Sequence, residues 1–147
     1  MIEAMILRMH AEYQKTKEAD IGMYILSRMT IGLAVRIGMH QDGLHFHGMT
    51  PFQWEVGGRQ WAHLRMVDVI WSFTSGIPVM IKDSDTDTKL PSNLRDEDFN
   101  EATLILPPER PVTELTDISF LIMKTEIARA FARIIVAVTG AGRHDTI

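Results

Sequence analysis

The stretch TPFQWEVGGRQWAHLRMVDVIWSFTSGIP, residues 50–78, carries the strongest local signal in the chain. Thr50 supplies a hydroxyl cap, Pro51 stands at the first helical position, and Gln53 follows the cap at the spacing that returns a bond to its amide. Apolar residues then recur until Gly-Ile-Pro stops the pattern: Trp54, Trp61, Leu64, Met66, Val67, Ile70, Trp71 and Phe73. The stretch predicts one long helix between Pro51 and Gly76.

Two more helices are predicted on the N-terminal side of this stretch. The first runs from about Ile2 to Lys15, with an apolar stripe at helical spacing formed by Ile2, Met5, Ile6, Met9 and Tyr13. Asp20 is placed to cap the second, which runs to about Met39, where Gly38 helps to end it. The predicted apolar stripe of this second helix comprises Ile21, Tyr24, Ile25, Met29, Leu33 and Ile37. A loop follows from His40 to Met49.

The C-terminal side predicts a long connection and a final helix. Residues from Val79 to Pro111 hold four of the six prolines, so they predict an ordered crossing loop with one helical turn near Asp96 to Ala102. Apolar residues then recur at spacings of three and four until Gly140: Leu115, Ile118, Leu121, Ile122, Ile127, Phe131, Ile134, Ile135 and Val138. The sequence therefore predicts an all-α fold, a compact bundle of about four to six helices with a long ordered loop before the last helix.

Composition bounds what such a bundle does. The chain has 147 residues, 46% of them hydrophobic, with a net charge of −4 and no cysteine. One domain spanning residues 1–147 is expected. The charge argues against a phosphate-backbone binder, and the missing cysteines exclude thiolate zinc sites, iron–sulfur clusters and cysteine nucleophiles. No secretion signal or membrane-length apolar run occurs, so we expect an intracellular protein, cytoplasmic or nuclear, that is not anchored to a membrane.

Two motifs resemble metal sites and fail on inspection. Asp83-x-Asp85-x-Asp87 opens like a calcium loop, but Thr88 replaces the glycine of the sharp turn and Leu94 replaces the bidentate glutamate. The cluster His40, Asp42, His45 and His47 meets no fixed ligand spacing. We therefore expect no metal and no cofactor.

Aromatic and thioether side chains are the candidates for an apolar pocket. The three tryptophans and ten methionines either pack as an ordinary core or line an adaptable cavity, because thioether chains fill irregular shapes. The candidate ligand-binding residues are Tyr24, Met29, Trp61, Trp71 and Phe73.

Asp68 lies between two valines of the long helix, and a carboxylate in apolar surroundings needs a cationic partner. Arg28, Arg59 and Arg65 are the candidates for that partner, and a buried ion pair is the plain interpretation. The functional interpretation is a general acid or base with a pKa moved by burial, with His63 nearby. If the protein is an enzyme, its candidate catalytic residues are Asp68, His63 and Arg59.

Several motifs in order resemble one family. They are GLAVRIGMHQDG at residues 32–43, Thr50-Pro51-Phe52, Glu55, Arg59, Trp61, Asp68, Gly76-Ile77-Pro78, and LPSNL at residues 90–94. Together they resemble the middle homology region of fungal zinc-cluster transcription factors, over about Ala19 to Phe99. The resemblance implies a shortened all-helical regulatory domain that senses ligands or controls activity. It also implies a six-cysteine DNA-binding cluster, which this chain lacks, so we expect no direct contact with nucleic acid.

Two departures from the family pattern open a second hypothesis. Gly57 and Gly58 precede Arg59 where the family has arginines, and Val69 follows Asp68 where it has arginine. The first hypothesis is a stand-alone regulatory module that binds an apolar small molecule or a protein partner. The alternative is a cofactor-independent enzyme of fungal natural-product biosynthesis, a cyclase, pericyclase or isomerase, on the same scaffold. An uncovered apolar face also predicts a homodimer through the terminal helices.

Overall fold

The computed structural model describes residues 1–16 and 21–141. It contains four α-helices, which are α1 (Ile2–Thr16), α2 (Ile21–Arg36), α3 (Pro51–Ser75) and α4 (Ser119–Ala141). Single 3₁₀ turns lie in the connections at Gly43–His45, Asp83–Asp85 and Asp96–Asp98, and these described ranges contain no strand. The predicted all-α bundle, with a long ordered loop before its last helix, is confirmed. None of the described helices combines the length and apolar character that a membrane span requires.

Helix α3 is central, because it packs against both α2 and α4 while α1 packs on α2. It begins as the sequence predicts: the Thr50 hydroxyl accepts from the Gln53 amide at 3.2 Å, and the Thr50 amide donates to the Gln53 side chain at 3.1 Å. It ends at Gly76, whose left-handed φ of 65° is readily adopted by glycine. The two ends of the helix are thus set by local sequence.

Helix α2 differs from the prediction in its face and in its end. Its predicted cap, Asp20, lies outside the described residues. The helix ends at Arg36 rather than near Met39, and the chain then turns through Gly38 at φ 86°. The predicted stripe does not face the core, since four of its members are exposed: Ile21, Ile25, Met29 and Ile37. The residues that are buried instead are Met23, Ser27, Thr30, Ile31 and Ala34.

The physical reason is that α2 is apolar on several sides, so hydrophobic periodicity selects no single face. The hydroxyl groups of its buried serine and threonine donate to backbone carbonyls of the same helix. Ser27 donates to the carbonyl of Tyr24 and Thr30 to the carbonyl of Leu26, each at 2.7 Å. Small side chains that need no external partner are therefore available for burial against α3.

Polar contacts order the long connection between α3 and α4. The Asn93 side-chain amide donates to the carbonyls of Arg110, Pro111 and Glu114, and its oxygen accepts from the hydroxyl of Ser119 at 3.0 Å. The predicted helical turn is the short 3₁₀ turn that begins at Asp96. One asparagine thus joins the loop to the first residue of α4.

Helix α4 begins and ends differently from the prediction. It starts at Ser119, so Leu115 of the predicted stripe lies before the helix and is exposed. It also continues through Gly140 to Ala141, because a helix tolerates a glycine at a modest cost. Its inner face, which includes Thr125 and Ala128, is buried, and so is Ile118 just before the helix.

Candidate functional site

Asp68 is buried and lies at a junction of three segments. Its carboxylate accepts from the backbone amides of Met80 and Ile81, both at 2.8 Å, and pairs with the Arg28 guanidinium at 3.1 Å. Burial raises the pKa of this carboxyl group, while the two amides and Arg28 oppose the rise. Arg28 is therefore the partner among the three arginines that the sequence offered. The carboxylate ties α3 to α2 and to the following loop.

Tyr24 belongs to the same group of contacts. The Arg28 guanidinium lies 4.8 Å from the centre of its ring and also donates to the Pro78 carbonyl at 2.8 Å. Tyr24 packs against the main core, partly buried. A stacked guanidinium and a packed ring account for its position.

Arg59 clamps the long loop and does not contact Asp68. It donates to Glu55 at 2.8 Å, to Asp96 at 2.6 Å and to the Leu94 carbonyl at 3.1 Å. Its guanidinium also lies over the ring of Phe99 at 4.9 Å. The predicted catalytic residues Asp68 and Arg59 thus occupy two separate connections between α3 and the loop.

The remaining predicted binding residues fall in different places. Trp61 is 1% exposed, and its Nε1 donates to the Thr86 hydroxyl at 3.0 Å. Met29 is 57% exposed at a shallow groove on α2. Phe73 is 60% exposed and packs edge-to-face on Phe131, with 4.9 Å between ring centres. The structure does not bring these three side chains together.

Two predicted site residues, Trp71 and His63, do line one cleft. The cleft has a volume of about 520 Å³ and is open to solvent. Its other described lining residues come from all four helices: Met9, His10, Tyr13, Gln14, Met23, Met66, Val67, Ile70, Thr74 and Lys124. Methionine, aromatic and aliphatic side chains dominate, which suits an apolar ligand.

His63 is the unusual polar group of this cleft. Its Nε2 is buried without a hydrogen-bond partner, and its ring stacks on His10 with 4.8 Å between centres. Burial, followed by the nearby charges of His10 and Lys124, lowers its pKa to about 4. At neutral pH His63 is therefore an uncharged imidazole with an unused hydrogen-bonding atom.

The sequence did not single out His10 or Lys124 as site residues. His10 and His63 are 53 positions apart, so no spacing motif joins them. The methionine stripe of α1 is the one usable signal, since Met9 and Tyr13 were placed on one face and both line the cleft.

The three aspartates of the calcium-like motif, and His45 of the histidine cluster, make contacts within the protein. Asp83 pairs with Arg65, Asp85 accepts from Ser84 at 2.7 Å, and Asp87 pairs with His45 at 2.8 Å. The bond to His45 lowers the pKa of Asp87. Within the described ranges no three acidic or histidine side chains are grouped closely enough to hold a metal ion.

The chain belongs to the fungal specific transcription factor domain family, whose model matches residues 5–132. The resemblance drawn from residues 19–99 is thereby confirmed and extended at both ends. No solved structure matches the chain.

Several curated transcription factors of fungi are similar to the chain. It is 35% identical to the Zn(2)-C6 fungal-type transcription factor pigI of Monascus ruber over 95% of its own length. It is 39% identical, over 86% of its length, to the fusarisetin A cluster transcription factor fsa6 of Fusarium sp. (strain FN080326) and to the equisetin cluster transcription factor eqxF of Fusarium heterosporum. The chain spans 17–18% of the length of these relatives.

Proposed function

We propose that residues 1–147 form one helical regulatory domain that binds an apolar small molecule in the cleft lined by Trp71 and His63. The observation that carries this proposal is a cleft with mostly apolar walls and a buried polar atom without a hydrogen-bond partner, the His63 Nε2. Ligand sites typically combine such walls with a few polar groups that fix orientation. The cleft volume of about 520 Å³ falls within the roughly 300–1,000 Å³ that small-molecule sites occupy.

A ligand in this cleft would act on the whole bundle. The lining comes from α1, α2, α3 and α4, so a bound molecule would contact every helix at once. Such a ligand stabilises the conformation that places these helices together. We propose that this is how the domain reports a metabolite to a transcription factor in the nucleus.

The names of fsa6 and eqxF assign those relatives to metabolite clusters. By analogy, we propose that the ligand is an apolar metabolite of the gene cluster that this protein regulates. The domain itself makes no contact with DNA in this proposal, in keeping with its net charge of −4 and its lack of cysteine.

A fluorescent apolar probe tests the proposal. N-phenyl-1-naphthylamine is uncharged and brightens when it leaves water, so titration into the protein measures occupancy of an apolar site. Ile70→Gln removes an apolar wall residue that is only half-buried, and we expect it to weaken probe binding about threefold or more. Met29→Gln is the matched control, because Met29 is an exposed apolar helix residue that does not line the cleft. No saturable binding, or equal losses in both variants, would overturn the proposal.

The enzyme remains the second candidate function, and His63 is the observation that favours it. An uncharged imidazole with an unpartnered nitrogen beside an apolar cleft is a proton acceptor, although its lowered pKa makes it a weak base. Asp68 and Arg59 do not line the cleft, so His63 is the one predicted catalytic residue placed there. Incubation with apolar metabolites of the neighbouring genes, followed by mass spectrometry, tests this candidate. Conversion that His63→Gln abolishes supports it, and unchanged substrates contradict it.

We also propose a homodimer through the outer face of α4. Exposed apolar residues recur there at seven-residue spacing, opposite the face that packs on α3: Phe120, Met123, Ile127, Ala130 and Ile134. A seven-residue repeat of this kind is the pattern of helices that pair along a seam. A second copy presents the same seam, so two α4 helices are complementary to each other.

Sedimentation equilibrium tests the dimer. We expect a dimer that Ile127→Lys converts to a monomer, because the substitution places a charge in the middle of the seam. Glu126→Lys is the control, since it introduces the same residue one position away on an exposed site beside the seam. A monomer at all concentrations would contradict the dimer and point to another protein segment as the cover of this face.

A further inference from the structure

Three basic side chains from three helices line the cleft that we propose as the ligand site. His10 comes from α1, His63 from α3 and Lys124 from α4. None of the lining residues that the structure describes is an aspartate or glutamate. The polar part of the cleft therefore has a positive or neutral character, although the chain as a whole is acidic.

Hydrogen bonding differs between the two histidines of this group. His10 Nδ1 lies 3.0 Å from the Ile6 carbonyl, which can only accept, so this nitrogen carries the proton. In His63, by contrast, the Nε2 atom is buried and has no hydrogen-bond partner. A buried polar atom without a partner is unfavourable, typically by about 1–3 kcal/mol, and a ligand atom that bonds to it removes that cost.

Lys124 supplies the fixed charge. Its Nζ lies 4.2 Å from the centre of the Phe120 ring, which holds the ammonium group beside the cleft by a cation–π contact. Burial is the main cause of the low pKa of His63, and the nearby charges of His10 and Lys124 lower it further. An anion bound here would raise the pKa of His63.

We propose that the cleft selects apolar molecules that carry one anionic group, such as a carboxylate, and that His63 and Lys124 bind this group, with His10 beside them. The proposal rests on the ligand site proposed above. It assigns the methionine and aromatic walls to the apolar body of the ligand and the meeting point of α1, α3 and α4 to its acidic end.

A matched pair of probes separates the two proposals. N-phenyl-1-naphthylamine and 8-anilinonaphthalene-1-sulfonate share the same rings, and only the second carries an anion. We expect the wild-type chain to bind the sulfonate about three- to tenfold more tightly than the uncharged probe, because one nearby charge at partial exposure contributes about that much. Equal affinities would overturn the acidic-ligand proposal and leave the apolar site in place. Failure of both probes would overturn the apolar site itself.

Substitutions of cleft residues test where the anionic group of the probe binds. Lys124→Met and His63→Leu are each expected to remove most of the preference for the sulfonate while the uncharged probe still binds. Lys89→Met is the control, since Lys89 is an exposed lysine that also lies over an aromatic ring, that of Trp54, away from this cleft. A loss with Lys124→Met but none with His63→Leu would mean that the sulfonate binds the outer surface of α4, and this result would contradict the proposal.

Discussion

Two sets of side chains on α3 differ in the number of their hydrogen-bond partners. In the loop-facing region, formed by Asp68, Arg59 and their contacts, each of these two side chains has three or more partners within the protein. In the cleft, the Nε2 of His63 has none. Side chains with full sets of partners hold the fold together, whereas an unpartnered atom at an open cleft is available to a ligand. Residue type alone did not distinguish the two, since the sequence offered Asp68, His63 and Arg59 together as candidate catalytic residues.

The largest expected effect tests the loop-facing region. Asp68→Asn keeps the shape of the side chain but leaves the mostly buried Arg28 guanidinium without its carboxylate. We expect the free energy of unfolding to fall by about 3–5 kcal/mol, the range for breaking a buried ion pair. Urea denaturation followed by circular dichroism measures it. A loss below about 1 kcal/mol would mean that Asp68 is not a structural connection, and the contrast with the cleft would be lost.

The next prediction concerns the acid sensitivity that His63 confers. Its pKa is about 4 in the folded chain against 6.5 for an ordinary histidine, so between these pH values the unfolded chain binds a proton that the folded chain does not. Stability therefore falls as the pH drops from 6.5 towards 4. We expect His63→Leu to remove about 2–3 kcal/mol of this fall.

Urea denaturation at pH 7, 5.5 and 4.5 gives the free energy of unfolding at each pH. The slope of this free energy against pH is compared between wild type and variant. The raised pKa of Asp68 acts in the opposite direction, because the folded chain then binds a proton before the unfolded chain does. That contribution is present in both proteins and cancels in the comparison. His47→Gln, at an exposed histidine, is the control and should leave the slope unchanged. Equal slopes for wild type and His63→Leu would show that the imidazole is not held uncharged in the cleft.

The sequence predicted those features of the fold that depend on residues close together in the chain. Both ends of α3 follow from short-range chemistry, the Thr50 to Gln53 capping box and Gly76, so they were predictable. The buried face of α2 was not, because apolar side chains surround most of that helix while Ser27 and Thr30 are buried through bonds to their own backbone.

The cleft depends on distance in space rather than in sequence. His10, His63 and Lys124 are brought together only when α1, α3 and α4 pack, and no local pattern encodes that meeting. The partner of Asp68 could not be predicted from the sequence for the same reason. Three arginines were available in the sequence, and the packing of α2 on α3 selected Arg28. Local signals thus gave the helices, and the tertiary arrangement gave the site.

The smallest expected effect concerns the two acidic partners of Arg59 in the loop-facing region. Arg59 bonds both Glu55, which is 5% exposed, and Asp96, which is 76% exposed, and the bond to Asp96 is the shorter of the two at 2.6 Å. Distance alone would rank Asp96 first. Solvent screens an exposed pair, however, so we expect Asp96→Asn to change the free energy of unfolding by less than about 0.5 kcal/mol. Glu55→Gln should destabilise by about 2 kcal/mol or more, because Glu55 is buried beside its arginine and also accepts from the Ser92 amide at 3.2 Å. Equal losses in the two variants would mean that burial does not set the strength of these connections, and the distinction between the clamped loop and the open cleft would need another basis.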